Sequence, residues 1–261
     1  MRDPREGVTA DGLIVTGVDR RAVPTAFEPV LAAVRERLSV WPAVTSYLYG
    51  SVATGQARVG RSDVDVLTVG LPVEQATAIG LELTDRFAGL CREVAVAPAH
   101  PDDLQGDDDP AYGLRVFVRH YCVRLGGPDR SPGQESFPAD ARAARGFNGD
   151  IDRHLGRWRA APAERDPVEL GRRLARKTLL ATAGLVSVLE STWTTDRELA
   201  VHHYGTHRPD LTGELGTLGA WCTGESSADR RSVHAVLAHG GVVQQVVDDF
   251  RVLVGLWPGP P

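Results

Sequence analysis

Two aspartates one residue apart, Asp63 and Asp65 in SDVDVLTV, follow a Gly-Ser pair, Gly50 and Ser51, at the end of AVTSYLYG. Side chains on a β-strand alternate between faces, so both carboxylates emerge on the same side. Val64, Val66 and Val69 make the surrounding strand apolar, and two carboxylates held close in that setting repel each other unless they meet solvent or a cation. Magnesium suits them: it takes oxygen ligands, keeps several waters and is commonly shared between protein carboxylates and substrate phosphates. An exposed edge strand carrying the pair into water is the competing explanation. Glu93, near the start of REVAVA, either completes a metal cluster, serves as general base on an attacking hydroxyl, or is an ordinary strand-end carboxylate. Gly50 lets the backbone approach a polyphosphate, and Ser51 with the turn amides offers donors to its oxygens. Gly55 permits the next turn, while Arg58 and Arg61 either add charge or lie on the surface.

Positioning these groups takes a strand on either side of the glycine turn. RAVPTAFEPVLAAVRERLSV has Phe27, Val30, Leu31, Val34 and Leu38 at helical spacing. AVTSYLYG reads as a strand ending at Gly50, VDVLTV as a second and REVAVA as a third, with a helical pattern over 73–90 between the last two. This order gives an α/β unit with a mixed sheet. DDLQGDDDP reads as a surface loop, and LRVFVRHYCVRL as another strand or a buried helix, which periodicity does not decide. GGPDRSPGQESFP, dense in turn residues, reads as a linker or excursion. Helices follow: one over about 167–190, a new one announced by Thr195 three residues before Glu198, and apolar helical spacing over 228–256, interrupted at Gly240 and Gly241. The expected fold class is α/β plus all-α, with a mixed-sheet domain over 1–138 and a helical bundle domain over 139–261.

The 261 residues carry a net charge of −5, with 42% hydrophobic and 24% charged residues, which excludes wholesale disorder and argues against a broad nucleic-acid-binding face. The N-terminal residues lack the apolar core of a secretory signal, and no run of about 18 apolar residues suggests a membrane span. Cys91, Cys122 and Cys222 have no paired ligand spacing and read as isolated reduced thiols, so a cytoplasmic location is expected.

The pattern Gly50, Ser51, Gly55, Ser62, Asp63 and Asp65, with Glu93 downstream, resembles the nucleotidyltransferase superfamily that includes DNA polymerase beta, and in particular bacterial aminoglycoside nucleotidyltransferases. Arg61 stands where many relatives have proline. The resemblance implies a catalytic domain followed by a helical acceptor-binding domain, with the acceptor between the two. It implies ATP or another NTP as donor, Mg²⁺ held by Asp63, Asp65 and Glu93, attack of an acceptor hydroxyl on the α-phosphorus, and departure of pyrophosphate. Gly50, Ser51 and Ser62 would contact the donor, as would Arg197, by its likeness to a basic residue near a helix start in related enzymes. Arg176, four residues after Arg172, is either a further phosphate contact or part of a solvated face. Trp158, Trp193, Tyr204 and Trp221 are either walls for a sugar or base, or core. His202, His203 and His207 lack a convincing zinc complement. The acceptor is a small hydroxylated molecule, of which an aminoglycoside is one form; a protein or RNA acceptor, or a noncatalytic nucleotide-binding module, are the alternatives.

Overall fold

The computed structural model describes residues 7–133, 135–160 and 166–258. The described residues form two compact units: those within Thr16–Glu135, and a second made of those up to Val15 together with those from Ser136 onwards.

The first unit contains a four-stranded sheet in the order β3-β2-β1-β4. β1 (Thr45–Tyr49) is aromatic and β-branched, and its first four residues are buried. It pairs antiparallel with β2 (Val64–Val69) on one side and with β4 (Val123–Gly126) on the other, where a bulge lets Ser46 face Gly126 and Tyr47 face Arg124. β2 pairs parallel with β3 (Val94–Ala99), from Val64↔Val94 to Val69↔Ala99. The sheet is therefore mixed. Leu48, Val64, Val66 and Val94 pack against α1 (Glu28–Leu38) and α3 (Val73–Arg86) on one face. Tyr47, Leu67 and Val69 meet Leu104 and Val118 on the other, the latter from α4 (Asp109–Tyr121). A single helical turn, α2 (Gly50–Ala53), follows β1 directly.

The expected strands lie where their β-branched runs placed them. LRVFVRHYCVRL is both of the expected forms in turn: α4 runs through Tyr121, and extended Cys122 leads into β4. The acidic loop is more ordered than a plain surface loop. Residues Pro101–Leu104 make a 3-10 turn braced by Asp103, and Asp108 caps α4 by accepting from the Ala111 amide at 2.9 Å.

The second unit is helical: α5 (Ala141–Asn148), α6 (Ile151–Arg159), α7 (Pro167–Leu189), α8 (Arg197–His207), α9 (Thr212–Thr223), α10 (Arg230–Leu237) and α11 (Val242–Leu253). The 23-residue α7 is its axis, with residues such as Leu174, Leu179 and Leu185 fully buried among the neighbouring helices. Gly240 and Gly241 separate α10 from α11, as the interrupted pattern anticipates. Trp158, Trp193, Tyr204 and Trp221 are all buried, which places them in the core of this unit rather than on a ligand-facing wall. The first described residues are stitched to the same unit: Ile14 donates to the Phe137 carbonyl and Ala139 to that of Gly12, both at 2.9 Å. Cys91, Cys122 and Cys222 are free thiols, and no described helix is long and apolar enough to cross a membrane.

Candidate active site

The registers of β2 decide where the acidic groups go. Asp65 lies directly across the antiparallel pair from Tyr49, the last residue of β1. Asp63 and Glu93 each stand one residue before their strands, and the Val64 amide donates to the Glu93 carbonyl at 2.8 Å, so the parallel ladder already runs at this level. Residues matched across a parallel pair project to the same face, as do residues two apart along a strand. Asp63, Asp65 and Glu93 therefore share the face that carries Tyr49, Leu67 and Val69. Asp63 and Asp65 are partly buried, whereas Glu93 is exposed.

The turn after β1 is fitted to Asp65. Gly50 adopts φ +71°, a conformation that favours glycine, and a Cβ there would overlap the Asp65 carboxylate. Tyr49 lies edge-on to Phe117 of α4, with ring centroids 5.2 Å apart, and Phe117 stacks on Tyr121. Burial is the main cause that pushes the Tyr49 hydroxyl above its ordinary pKa, and the negative charge of Asp65 adds to it. The Ser51 carbonyl closes the turn by accepting from the Gln56 amide at 2.8 Å, and among the described residues its hydroxyl has no hydrogen-bond partner. Ser62 is engaged differently. Its hydroxyl accepts from the Arg58 amide at 2.9 Å and its carbonyl from the Arg92 amide at 3.1 Å, fastening the loop before β2.

Arg92 closes the acidic group. Its Nε donates to Asp63 Oδ1 at 2.8 Å and its Nη2 to Asp63 Oδ2, a two-pronged grip. Among the described residues, no set of three or more His, Cys, Asp or Glu side chains is gathered closely enough to hold a metal ion. The expected three-carboxylate cluster is thus not preformed, and Asp63 instead holds a guanidinium.

The helical unit carries the other two expected contacts. Asp196 caps α8 by accepting from the Glu198 and Leu199 amides at 2.9 and 3.1 Å, a role that the Thr195 spacing assigned one residue early. Arg197, the first residue of α8, lines a cavity of about 600 Å³ between α7, α8 and α9, with Leu179, His202, Gly216 and Cys222 also on its wall. The arginine is exposed in surface area yet surrounded by protein, as a concave wall requires, and this burial is the leading cause that lowers its pKa; nearby Cys222 opposes the shift and Arg176 reinforces it. Neither Arg176 nor Arg197 has a hydrogen-bond or ion-pair partner among the described residues. His203 and His207, one turn apart, both hydrogen-bond to Glu190, at 2.8 and 3.1 Å, which accounts for them without a metal.

No family model matches the chain, and no curated protein matches it in sequence. Among solved structures it is similar to spectinomycin adenyltransferase AAD(9) from Enterococcus faecialis, determined with ATP and spectinomycin. The TM-score is 0.53 at 11% sequence identity, over 87% of this chain and 98% of that one. The two share a fold: a mixed sheet with covering helices, followed by a helical part.

Of the residues singled out in the sequence, the sheet unit brings together Gly50, Asp63, Asp65 and Glu93 through one turn and two strand pairings. Arg176 and Arg197 are brought near each other in the helical unit. Arg92 was missed. The available signal was a basic residue immediately before the third acid, but only the parallel register turns that adjacency into a contact with Asp63.

Proposed function

We propose that this protein transfers a nucleoside monophosphate, AMP from ATP, to a hydroxyl group of a small molecule, with aminoglycoside-type antibiotics the first acceptors to test. The observation that carries this reading is the common face of Asp63, Asp65 and Glu93 beside the Gly50 turn. The fold shared with an adenyltransferase supports it.

The donor set fits Mg²⁺. It is all oxygen, and the Arg92 guanidinium on Asp63 is evidence that the sheet end accepts positive charge. Magnesium needs only one or two protein carboxylates when phosphates and water fill its remaining positions, so Asp63 and Asp65 suffice as its ligands. When bound, the ion would supply charge neutralisation on the reacting phosphate. Glu93, exposed and with no side-chain hydrogen bond or ion pair among the described residues, is assigned as general base: it takes the acceptor's proton as the hydroxyl oxygen bonds to the α-phosphorus and the bond to the β-phosphate oxygen breaks, releasing pyrophosphate. Ser51 and the turn amides orient the leaving phosphates. Arg176 and Arg197 are assigned to the donor's phosphates because neither cation makes a hydrogen bond or ion pair among the described residues. Ser62 acts through the loop that it fastens.

The test is incubation with Mg²⁺, each NTP and a panel of aminoglycosides and other hydroxylated metabolites, following pyrophosphate release and acceptor mass together. The expected result is a mass gain of one nucleotide, reduced about 100-fold or more in Asp65→Asn, in line with the loss of a group that organises transition-state charge. Unchanged turnover in Asp65→Asn would remove the metal assignment.

A further inference from the structure

Arg92 is the immediate chain neighbour of Glu93, and its guanidinium reaches back to Asp63 on the adjacent strand. The two side chains differ in exposure: 49% for Arg92 and 18% for Asp63. The arginine is therefore anchored at its tip, with nearly half its surface in water and a route outward. Its pKa is raised, first by the hydrogen bonds it donates to Asp63; burial opposes the shift, and the charges of Asp63, Glu93 and Asp65 reinforce it. A cation and its surrogate cannot use the same oxygens at once, and Arg92 occupies both oxygens of Asp63.

We propose that Arg92 is a resident counter-cation that holds Asp63 in the metal-free protein and must release it before a divalent cation binds, so that the metal enters with the nucleotide's polyphosphate rather than ahead of it. The inference rests on the reading of Asp63 and Asp65 as metal ligands. Three like charges on one face repel, and a fixed positive group relieves that repulsion while the site waits. A partly exposed ion pair is weak enough to exchange. Hydrated Mg²⁺ gives up its waters reluctantly, so displacing a two-pronged guanidinium is unfavourable for the bare ion. Phosphate oxygens that replace those waters shift the competition toward the metal. The arginine cannot be neutralised near physiological pH, so the exchange takes place by movement of its side chain.

The decisive measurement is Mn²⁺ binding to the full-length protein, followed by the electron paramagnetic resonance signal of free Mn²⁺, with and without a non-hydrolysable ATP analogue. The variants are Arg92→Gln, Arg92→Lys and Asp63→Asn. The wild type should bind Mn²⁺ weakly alone and about tenfold more tightly with the analogue, a coupling of ordinary size. Arg92→Gln should bind Mn²⁺ alone about fivefold more tightly than wild type and so depend less on nucleotide. Arg92→Lys, which keeps the charge but loses the fork, should fall between them and serves as the folded comparison. An arginine that merely pins two strand ends would leave Mn²⁺ affinity unchanged or lower it on substitution. If Arg92→Gln binds no more tightly than wild type while Asp63→Asn loses Mn²⁺, the counter-cation role is overturned and the metal assignment survives. If Asp63→Asn binds Mn²⁺ as well as wild type, both fall.

Discussion

Asp65 and Gly50 fit one small volume: the carboxylate lies where any other residue at position 50 would place its Cβ, and the backbone there has φ +71°. The functional consequence is that the position of the acid depends on a side chain being absent, something that no inspection of charges alone would reveal. A second residue-scale feature lies in α4. His120 is 6% exposed, its Nδ1 lies 3.1 Å from Thr16 Oγ1, and burial, with Arg119 as a lesser cause, pushes its pKa down to about 4 from 6.5. The unfolded chain therefore takes up a proton at this site more readily than the folded one. The resulting stability is fully present above pH 6.5 and is lost as pH falls through about 4. Shifts of this size correspond to about 3 kcal/mol. Urea titrations at pH 7, 5.5 and 4 should show a decline that is shallower in His120→Gln; equal slopes would remove His120 as the cause.

At the scale of the element, α8 shows how a boundary controls a side chain. The Asp196 carboxylate takes two amides of the first turn, and Arg197 is the residue that follows. Asp196→Ala should cost about 1 kcal/mol, seen in chemical denaturation, and should speed amide exchange at Glu198 and Leu199 before the middle of the helix. The sequence placed this helix start to within one residue because Thr195-x-x-Glu198 and the true cap overlap. β1, β2 and β3 were readable for a stronger reason: each is a short β-branched or small-residue run between turn residues, and two carboxylates at period 2 have an obvious common side. The transition from α4 to β4 was not readable, since apolar residues continue across Cys122 and neither periodicity lasts long enough to exclude the other. The grip of Arg92 was hidden for a different reason. It depends on which residues face each other across β2 and β3, and pairing register is a property of two segments rather than one.

For the whole molecule, the first stretch of chain belongs with the last. Ile14 and Phe137 are buried together in the helical unit, which departs from a simple division at residue 138 and leaves Thr16–Glu135 as one insertion between two parts of its companion. That contact was invisible in sequence because it joins residues more than 120 positions apart. The sheet unit in turn ends at β3, whose Pro98 is matched with Thr68 and has no amide hydrogen to offer on either side. In solution this is a colloidal safeguard. Strand VAVAPA is short, uncharged and made of small residues, and among the described residues no strand covers its outer edge; the proline keeps that edge from recruiting another chain. Pro98→Val would leave an unbroken VAVAVA, the kind of segment that adds to itself. The expected outcome is rising light scattering and thioflavin fluorescence on prolonged warming at concentrations where the natural chain stays clear, so the residue that ends the sheet also sets how concentrated the protein can become.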